Sequence, residues 1–258
     1  MVESVVATAP PGHEVRIPTI GLGTWRLRGR VCQDAVAHAL SVGYRHLDTA
    51  RMYGNEREVG AGLRASGVDR DEVFVVTKVR PGDADREGVR REVEASLREL
   101  GLDRIDLLLL HAPGRVPVEE TMEAFREQQE LDRVVEIGVS NFDVDGLQRA
   151  SAAGPIVCVQ NEYRPGYPQG PVLDWCRRHG VVLVAYSPLL LRGRARRAVE
   201  EVAEAHGRPW PQVALRWLVQ QEQVAVIPRS SDATHREHNL EVFDFALSDD
   251  EMAWLATV

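Results

Sequence analysis

The chain has 258 residues, 44% of them hydrophobic, with 31 lysines and arginines against 39 aspartates and glutamates, a formal net charge of -8. A core of that size needs neither disulfides nor a structural metal, and an acidic surface repels phosphates, which excludes nucleic acid and anionic membranes as expected partners. Cys32, Cys158 and Cys176 share no C-x-x-C spacing, so buried free thiols in a reducing cytoplasm are expected, and no stretch approaches the roughly 20 apolar residues of a membrane span.

The opening "MVESVVATAPPGHEVRIP" is acidic and broken by prolines, unlike a secretory signal. Its β-rich part, "VVATAPPGHEVRIP", predicts a hairpin ahead of the main repeat. Eight β-rich runs then follow in order: "TIGLGTW" (19–25), "RHLDTA" (45–50), "VFVVTKV" (73–79), "IDLLLLH" (105–111), "VVEIGVS" (134–140), "IVCVQNEY" (156–163), "VVLVAYSP" (181–188) and "VAVIPRS" (224–230). Several are apolar nearly throughout, as parallel strands buried on both faces require.

Helical periods fill the gaps. "REGVRREVEASLRELG" sets Val89, Val93, Leu97 and Leu100 on one face and stops at Gly101; Gly43, Gly67, Gly180 and Gly207 close other helical patterns in the same manner. "LRGRARR" (191–197), the nearest approach to a basic block, reads as the polar start of a helix. "LSDDEMAWL" begins the last helix with Ser248 as N-cap and Glu251 three residues on, a capping box.

Eight strands alternating with helices, and no linker between them, predict one α/β domain over residues 1–258: a closed (β/α)8 TIM barrel with an N-terminal β-hairpin. Two small domains or a doubly wound open sheet would also suit the length. "GLGTWR" (21–26), however, matches only the first two glycines of a dinucleotide fingerprint and runs into Trp25 rather than a helix.

In such a barrel the site lies at the C-terminal strand ends. Those ends carry Trp25, Asp48, Lys78, His111, Ser140 with Asn141, Gln160, Tyr186 with Ser187, and Arg229 with Ser230; Tyr53 follows the second strand in its loop. Each alone has an ordinary explanation: Asp48 suits a turn, His111 a satisfied strand end, Lys78 a side chain reaching solvent. Together, an acid, a lysine and a histidine end three consecutive strands and face one mouth. Asp48 supplies the counter-charge that a desolvated Lys78 needs. The ammonium is then expected to lower the pKa of the Tyr53 phenol. A phenol acid with no nucleophile suits carbonyl reduction, where hydride comes from a cofactor and the oxygen must be protonated. Ser140, Asn141 and Gln160 suit a carboxamide, Tyr186 a nicotinamide ring, and Arg229 a 2′-phosphate, hence NADPH, with NADH the weaker alternative.

The segments "GLGTW", "YRHLDTARMYGNE", "VVTKV", "LLLLHAP", "EIGVSNF", "VQNEYRP", "VAYSPL", "ALRW", "VIPRS" and "NLEVFDFALS" occur in family order, and the chain resembles the aldo-keto reductase superfamily nearly end to end. The resemblance implies a catalytic tetrad at Asp48, Tyr53, Lys78 and His111. Tyr53 would donate the proton, helped by Lys78 and Asp48, and His111 would orient the carbonyl. It implies nicotinamide contacts at Ser140, Asn141, Gln160 and Tyr186, phosphate and adenosine contacts at Ser187, Leu189, Arg229, Ser230 and Asn239, and further cofactor contacts at Thr24, Pro188, Ile227, Pro228 and His235. Trp25 would wall the substrate pocket, and Ala112, where the family often has tryptophan, would widen it.

Some positions depart from the family pattern. His235 stands where an arginine often contacts adenine and 2′-phosphate, with Arg236 one place on; His238 replaces a glutamate, and Arg164 stands where histidine is usual. The segments after His111 and Leu189 are short and the chain stops at Val258, so an open site for small aldehydes and ketones is expected, in a cytoplasmic monomer without a catalytic metal. Two other readings keep the same barrel: a Schiff-base aldolase using Lys78, and a nicotinamide-binding regulatory subunit.

Overall fold

The computed structural model describes residues 3–8 and 12–258. Strand β1 (Ser4–Ala7) pairs antiparallel with β2 (Val15–Pro18); residues 9–11 of the expected hairpin lie outside the described residues. The remaining strands are β3 (Leu22–Gly23), β4 (His46–Asp48), β5 (Phe74–Val79), β6 (Ile105–Leu110), β7 (Val134–Ser140), β8 (Ile156–Glu162), β9 (Val182–Tyr186) and β10 (Val224–Val226). They form one eight-stranded sheet in sequential order, and every pairing in it is parallel. A parallel bridge from Ile20 to Val226 closes the sheet into a barrel. Gly21 N donates to Val226 O at 2.8 Å and Gly23 N to Pro228 O at 3.1 Å along that seam. A Cβ at Gly23 would lie 2.7 Å from Ile227 O, so the close seam needs glycine there.

Helices cover the outside: α1 (Gly29–Ser41), α2 (Glu56–Ser66), α3 (Arg86–Leu100), α4 (Val118–Glu130), α5 (Val144–Ala153), α6 (Gly170–His179), α7 (Gly193–His206), α8 (Trp210–Val219), α9 (Ala233–Leu240) and α10 (Asp249–Ala256). In α3, Asp85 accepts from Gly88 N at the start and Gly101 takes φ 68 at the end, while Val89 and Val93 are fully buried. Gly67, Gly180 and Gly207 terminate their helices in the same left-handed conformation; in α1 the C-cap is Val42, one residue before Gly43. The capping box of Ser248 and Glu251 is formed. No helix among the described residues is long and apolar enough to cross a membrane.

The side-chain period of two along each strand decides what faces the barrel axis. In β6, Leu107 and Leu109 join the interior cluster, while Leu108 and Leu110 pack under the helices. This is why the strand is apolar throughout. Ala7, Val15 and Ile17 of the hairpin belong to the interior cluster too, so the hairpin packs against the barrel interior. The inward parity, extended toward the C-terminal ends, falls on Asp48, Lys78, His111, Ser140, Gln160 and Tyr186.

Apart from β7, the strands are shorter than their sequence runs. β3 spans two residues, β9 ends where Ser187 takes φ 51, and β10 ends before Pro228, which has no N–H for a ladder. The residues beyond those ends turn over the barrel mouth.

Candidate active site

Lys78 Nζ donates to Asp48 Oδ1 at 2.7 Å, to Asp48 Oδ2 at 2.8 Å and to Thr49 O at 2.8 Å. Both side chains are 1% exposed. Gln160 Nε2 adds a bond to Asp48 Oδ2 at 2.7 Å, so the carboxylate is held from two strands. The end of β4 is itself fixed: Thr24 Oγ1 donates to Asp48 O at 2.9 Å, and Thr24 N donates to the same oxygen at 3.0 Å. Burial disfavours the Lys78 ammonium, but Asp48 and Tyr53 outweigh that and raise its pKa above the ordinary lysine value.

Tyr53 sits on a 3₁₀ turn, Arg51–Tyr53, between β4 and α2. Asn55, next in the loop, ties it down: its Nδ2 donates to Thr24 O at 2.9 Å and Leu27 O at 3.0 Å, and its Oδ1 accepts from Thr49 Oγ1 at 2.8 Å. Lys78 Nζ lies 5.1 Å from the Tyr53 ring centroid, close enough for each group to shift the other's pKa. The rings of Tyr53 and His111 meet edge to face at 5.7 Å.

The sign of the Tyr53 shift differs from the sequence expectation. Burial raises its pKa above the ordinary phenol value, with Lys78 opposing and Asp48 adding to the rise. The expected lowering by the ammonium is present but smaller than the desolvation of a phenolate, and Asp48 opposes it as well. Tyr53 is therefore a neutral phenol that keeps its proton.

His111 is also neutral. Burial and Lys78 push its pKa down to about 4, with Asp48 partly opposing, and its Nδ1 is buried without a hydrogen-bond partner. An unfolded histidine titrates near 6.5, so the fold disfavours the imidazolium. The stability His111 contributes is whole above about pH 6.5 and is lost as pH falls toward about 4. His111→Gln is expected to flatten the loss of melting temperature between those pH values. An unchanged acid slope would assign that loss to other groups.

These groups floor a cleft of about 680 Å³, whose lining includes Trp25, Asp48, Tyr53, His111, Ser140, Asn141, Gln160, Tyr186, Ser187, Pro188, Leu189, Ile227, Pro228 and Arg229. Asn141 and Ser187 hold φ of 63 and 51, a left-handed conformation unusual outside glycine, and both lie directly after a strand. Tyr186 Oη donates to Asn141 Oδ1 at 2.7 Å, and Asn141 Nδ2 donates to His111 O at 2.8 Å, which fixes the amide across three strand ends. Ser140 Oγ donates to Gln160 O at 2.7 Å.

Other expected residues lie off the lining: Thr24 and Lys78 beneath it, Ala112 on the adjoining loop, and Ser230, His235 and Asn239 beyond it. His235 is exposed, 4.0 Å from Asp232, while Arg236 turns inward and donates to Ser230 O at 3.1 Å. Arg236 thus faces the helix-packed side and does not replace the missing arginine. The cleft also takes in Gly23, Arg26, Met52, Glu162 and Leu190, none singled out as site residues from sequence. Arg26 stacks its guanidinium over Trp25 at 4.1 Å, a pairing that the adjacent "WR" could have signalled. Arg164 lies over Tyr167 and pairs with Glu162 at the same mouth. Among the described residues no group of three or more His, Cys, Asp or Glu is arranged to hold a metal ion.

A parallel barrel with a buried Asp–Lys pair, a neutral phenol and a neutral imidazole at its C-terminal mouth has the equipment of an acid-assisted oxidoreductase. A model of the Aldo/keto reductase family matches residues 19–258, and the chain belongs to that family, whose members are carbonyl reductases using NAD(P)H. It is 38% identical over 248 residues to the 9,11-endoperoxide prostaglandin H2 reductase of Trypanosoma cruzi, covering 93% of this chain and 87% of the relative. With the morphine 6-dehydrogenase of Pseudomonas putida it shares 40% identity over 260 residues, again covering 93% and 87%. The aldose reductase structure from Schistosoma japonicum superimposes with a TM-score of 0.89 at 31% identity, covering 97% of this chain and 90% of that one.

Proposed function

We propose that the protein reduces small aldehydes and ketones to alcohols with NADPH, Tyr53 being the general acid. The observation that carries this reading is the buried Asp48–Lys78 pair directly under Tyr53, with His111 across from it at the cleft floor. The bound cofactor would supply hydride to the carbonyl carbon. Tyr53 gives its phenol proton to the oxygen, and Lys78 stabilises the charge left on the phenol, itself balanced by Asp48. His111, neutral at pH 7, offers a hydrogen bond that orients the carbonyl.

The chain fits a nicotinamide. Tyr186 offers a flat face, Asn141 and Gln160 offer amides in fixed orientation, and the exposed Arg229 offers a cation at the far side of the cleft. Arg229 is the group available for a 2′-phosphate, since Arg236 is buried and His235 is a solvated imidazole. Arg229→Ala is expected to weaken NADPH binding about tenfold or more, the size of a lost charge-assisted bond, and NADH about twofold at most. Titrating both nicotinamides against both proteins by fluorescence measures this; equal losses would remove the phosphate contact.

Neither rival gains support. Lys78 spends donors on Asp48 and Thr49, and its raised pKa keeps it charged, which a Schiff-base nucleophile cannot be. A regulatory subunit would need no buried proton donor at the cleft floor. A steady-state screen of aldehydes, α-dicarbonyls, keto sugars and ketones with both nicotinamides tests the whole reading. Tight NADPH binding without turnover across that panel would leave the regulatory reading standing.

A further inference from the structure

Behind the cleft floor lies a second buried charge cluster. The 3₁₀ turn that presents Tyr53 to the cleft begins with Arg51, and three residues complete each turn of such a helix, so the two side chains leave on different sides. Arg51 points between α2 and α3. It donates to Glu56, and its Nη1 lies 3.2 Å from Glu99 Oε2 and its Nε 3.7 Å from Glu92 Oε1. The Arg51 side chain is 14% exposed and that of Glu56 is 0% exposed. Glu56 also accepts from Thr77 Oγ1 at 2.7 Å, on the strand residue next to Lys78. Glu92 has its own cation, since Arg80 donates to it at 3.0 and 2.7 Å.

Burying this many charges costs desolvation that packed apolar side chains would not incur. What the cluster does supply is geometry. It joins the turn bearing Tyr53 to the strand bearing Lys78 through Glu56 and Thr77, and to α3 through Glu99 and Glu92. We propose that Arg51 is a positioning residue for Tyr53: its guanidinium, held by Glu56 and Glu99 with Glu92 as a more distant charge neighbour, fixes the 3₁₀ turn so that the phenol stays beside Lys78. This inference rests on Tyr53 being the proton donor.

Arg51→Met alone leaves Glu56 buried without its cation and would confuse folding with rate. The informative protein is the double variant Arg51→Met, Glu56→Gln. It removes both charges, and glutamine at position 56 still accepts from Thr77. Glu92 keeps Arg80, and Glu99 is the most exposed of the three acids. Melting temperature, nicotinamide dissociation constant, KM and kcat are measured for wild type, both variants and Tyr53→Phe. The single variant is expected to melt lowest. In the double variant melting temperature returns close to wild type while kcat stays down by about 10²-fold, the scale of a small misplacement of a catalytic group. KM and the nicotinamide constant move by about twofold at most, because the cleft walls are untouched.

Recovery of wild-type kcat in the double variant would show that Arg51 only neutralises Glu56, overturning the proposal. So would kcat, nicotinamide affinity and melting temperature falling together while KM rises, the pattern of general loosening. Wild-type rate in Tyr53→Phe is a separate failure. It would remove the proton-donor reading itself, and the positioning role with it.

Discussion

Tyr53→Phe is expected to lower kcat for carbonyl reduction by about 10²–10⁴-fold, the contribution of a positioned general acid, while the nicotinamide dissociation constant changes about twofold at most. Phenylalanine keeps the ring and its edge-to-face packing on His111 at 5.7 Å, so only the hydroxyl is removed. No neighbour can replace it readily. Lys78 is bound to Asp48 and Thr49 and its pKa is raised, and the imidazolium of His111 is scarce at neutral pH because its pKa is about 4. The raised pKa of Tyr53 means the proton is present across the physiological range. Decline of wild-type kcat on the alkaline side should therefore begin only near or above the ordinary phenol value of about 10. Stopped-flow and steady-state rates on the two proteins across pH check both statements. A loss below about tenfold would move the donor to His111 or to solvent.

Much of the site is legible in sequence because it follows from parity and order. Once Leu107 and Leu109 are inward, His111 is inward; the same count places Lys78 from Val76 and Tyr186 from Val184. A polar residue ending an apolar run is conspicuous for that reason. Magnitudes and long-range partners are not legible in this way. The sign of the Tyr53 shift depends on how deeply the phenol is buried against how much of the Lys78 field Asp48 cancels, and neither quantity is written in the spacing. The direction of Arg236 is a matter of helix phase: in α9, position 236 faces Tyr44 and His38 and position 235 faces water, a turn of one residue that reverses the role. Nothing in the sequence spacing names the partners of Arg51. Its partners Glu92 and Glu99 lie on another helix and meet it only when α3 packs beside α2.

The largest loss of stability is expected from Lys78→Met. The methionine fills similar volume, but Asp48 remains 1% exposed with Gln160 Nε2 as its side-chain donor, and an uncompensated buried charge costs about 3–5 kcal/mol. Chemical denaturation measures it. Adding Asp48→Asn removes the stranded charge, so the double variant should regain most of that stability, yet its reduction rate should stay low because the charge next to the Tyr53 hydroxyl is gone. The pH dependence carries its own sign. The folded pKa of Lys78 is raised above the unfolded lysine value, so its contribution is whole below that value and is lost as pH rises through the folded one. Wild type should therefore lose melting temperature above about pH 10.4 more steeply than the double variant does. Equal alkaline slopes would mean the pair is not titrating on unfolding. A double variant that regains rate as well as stability would show that the ammonium is structural and that Tyr53 works without it.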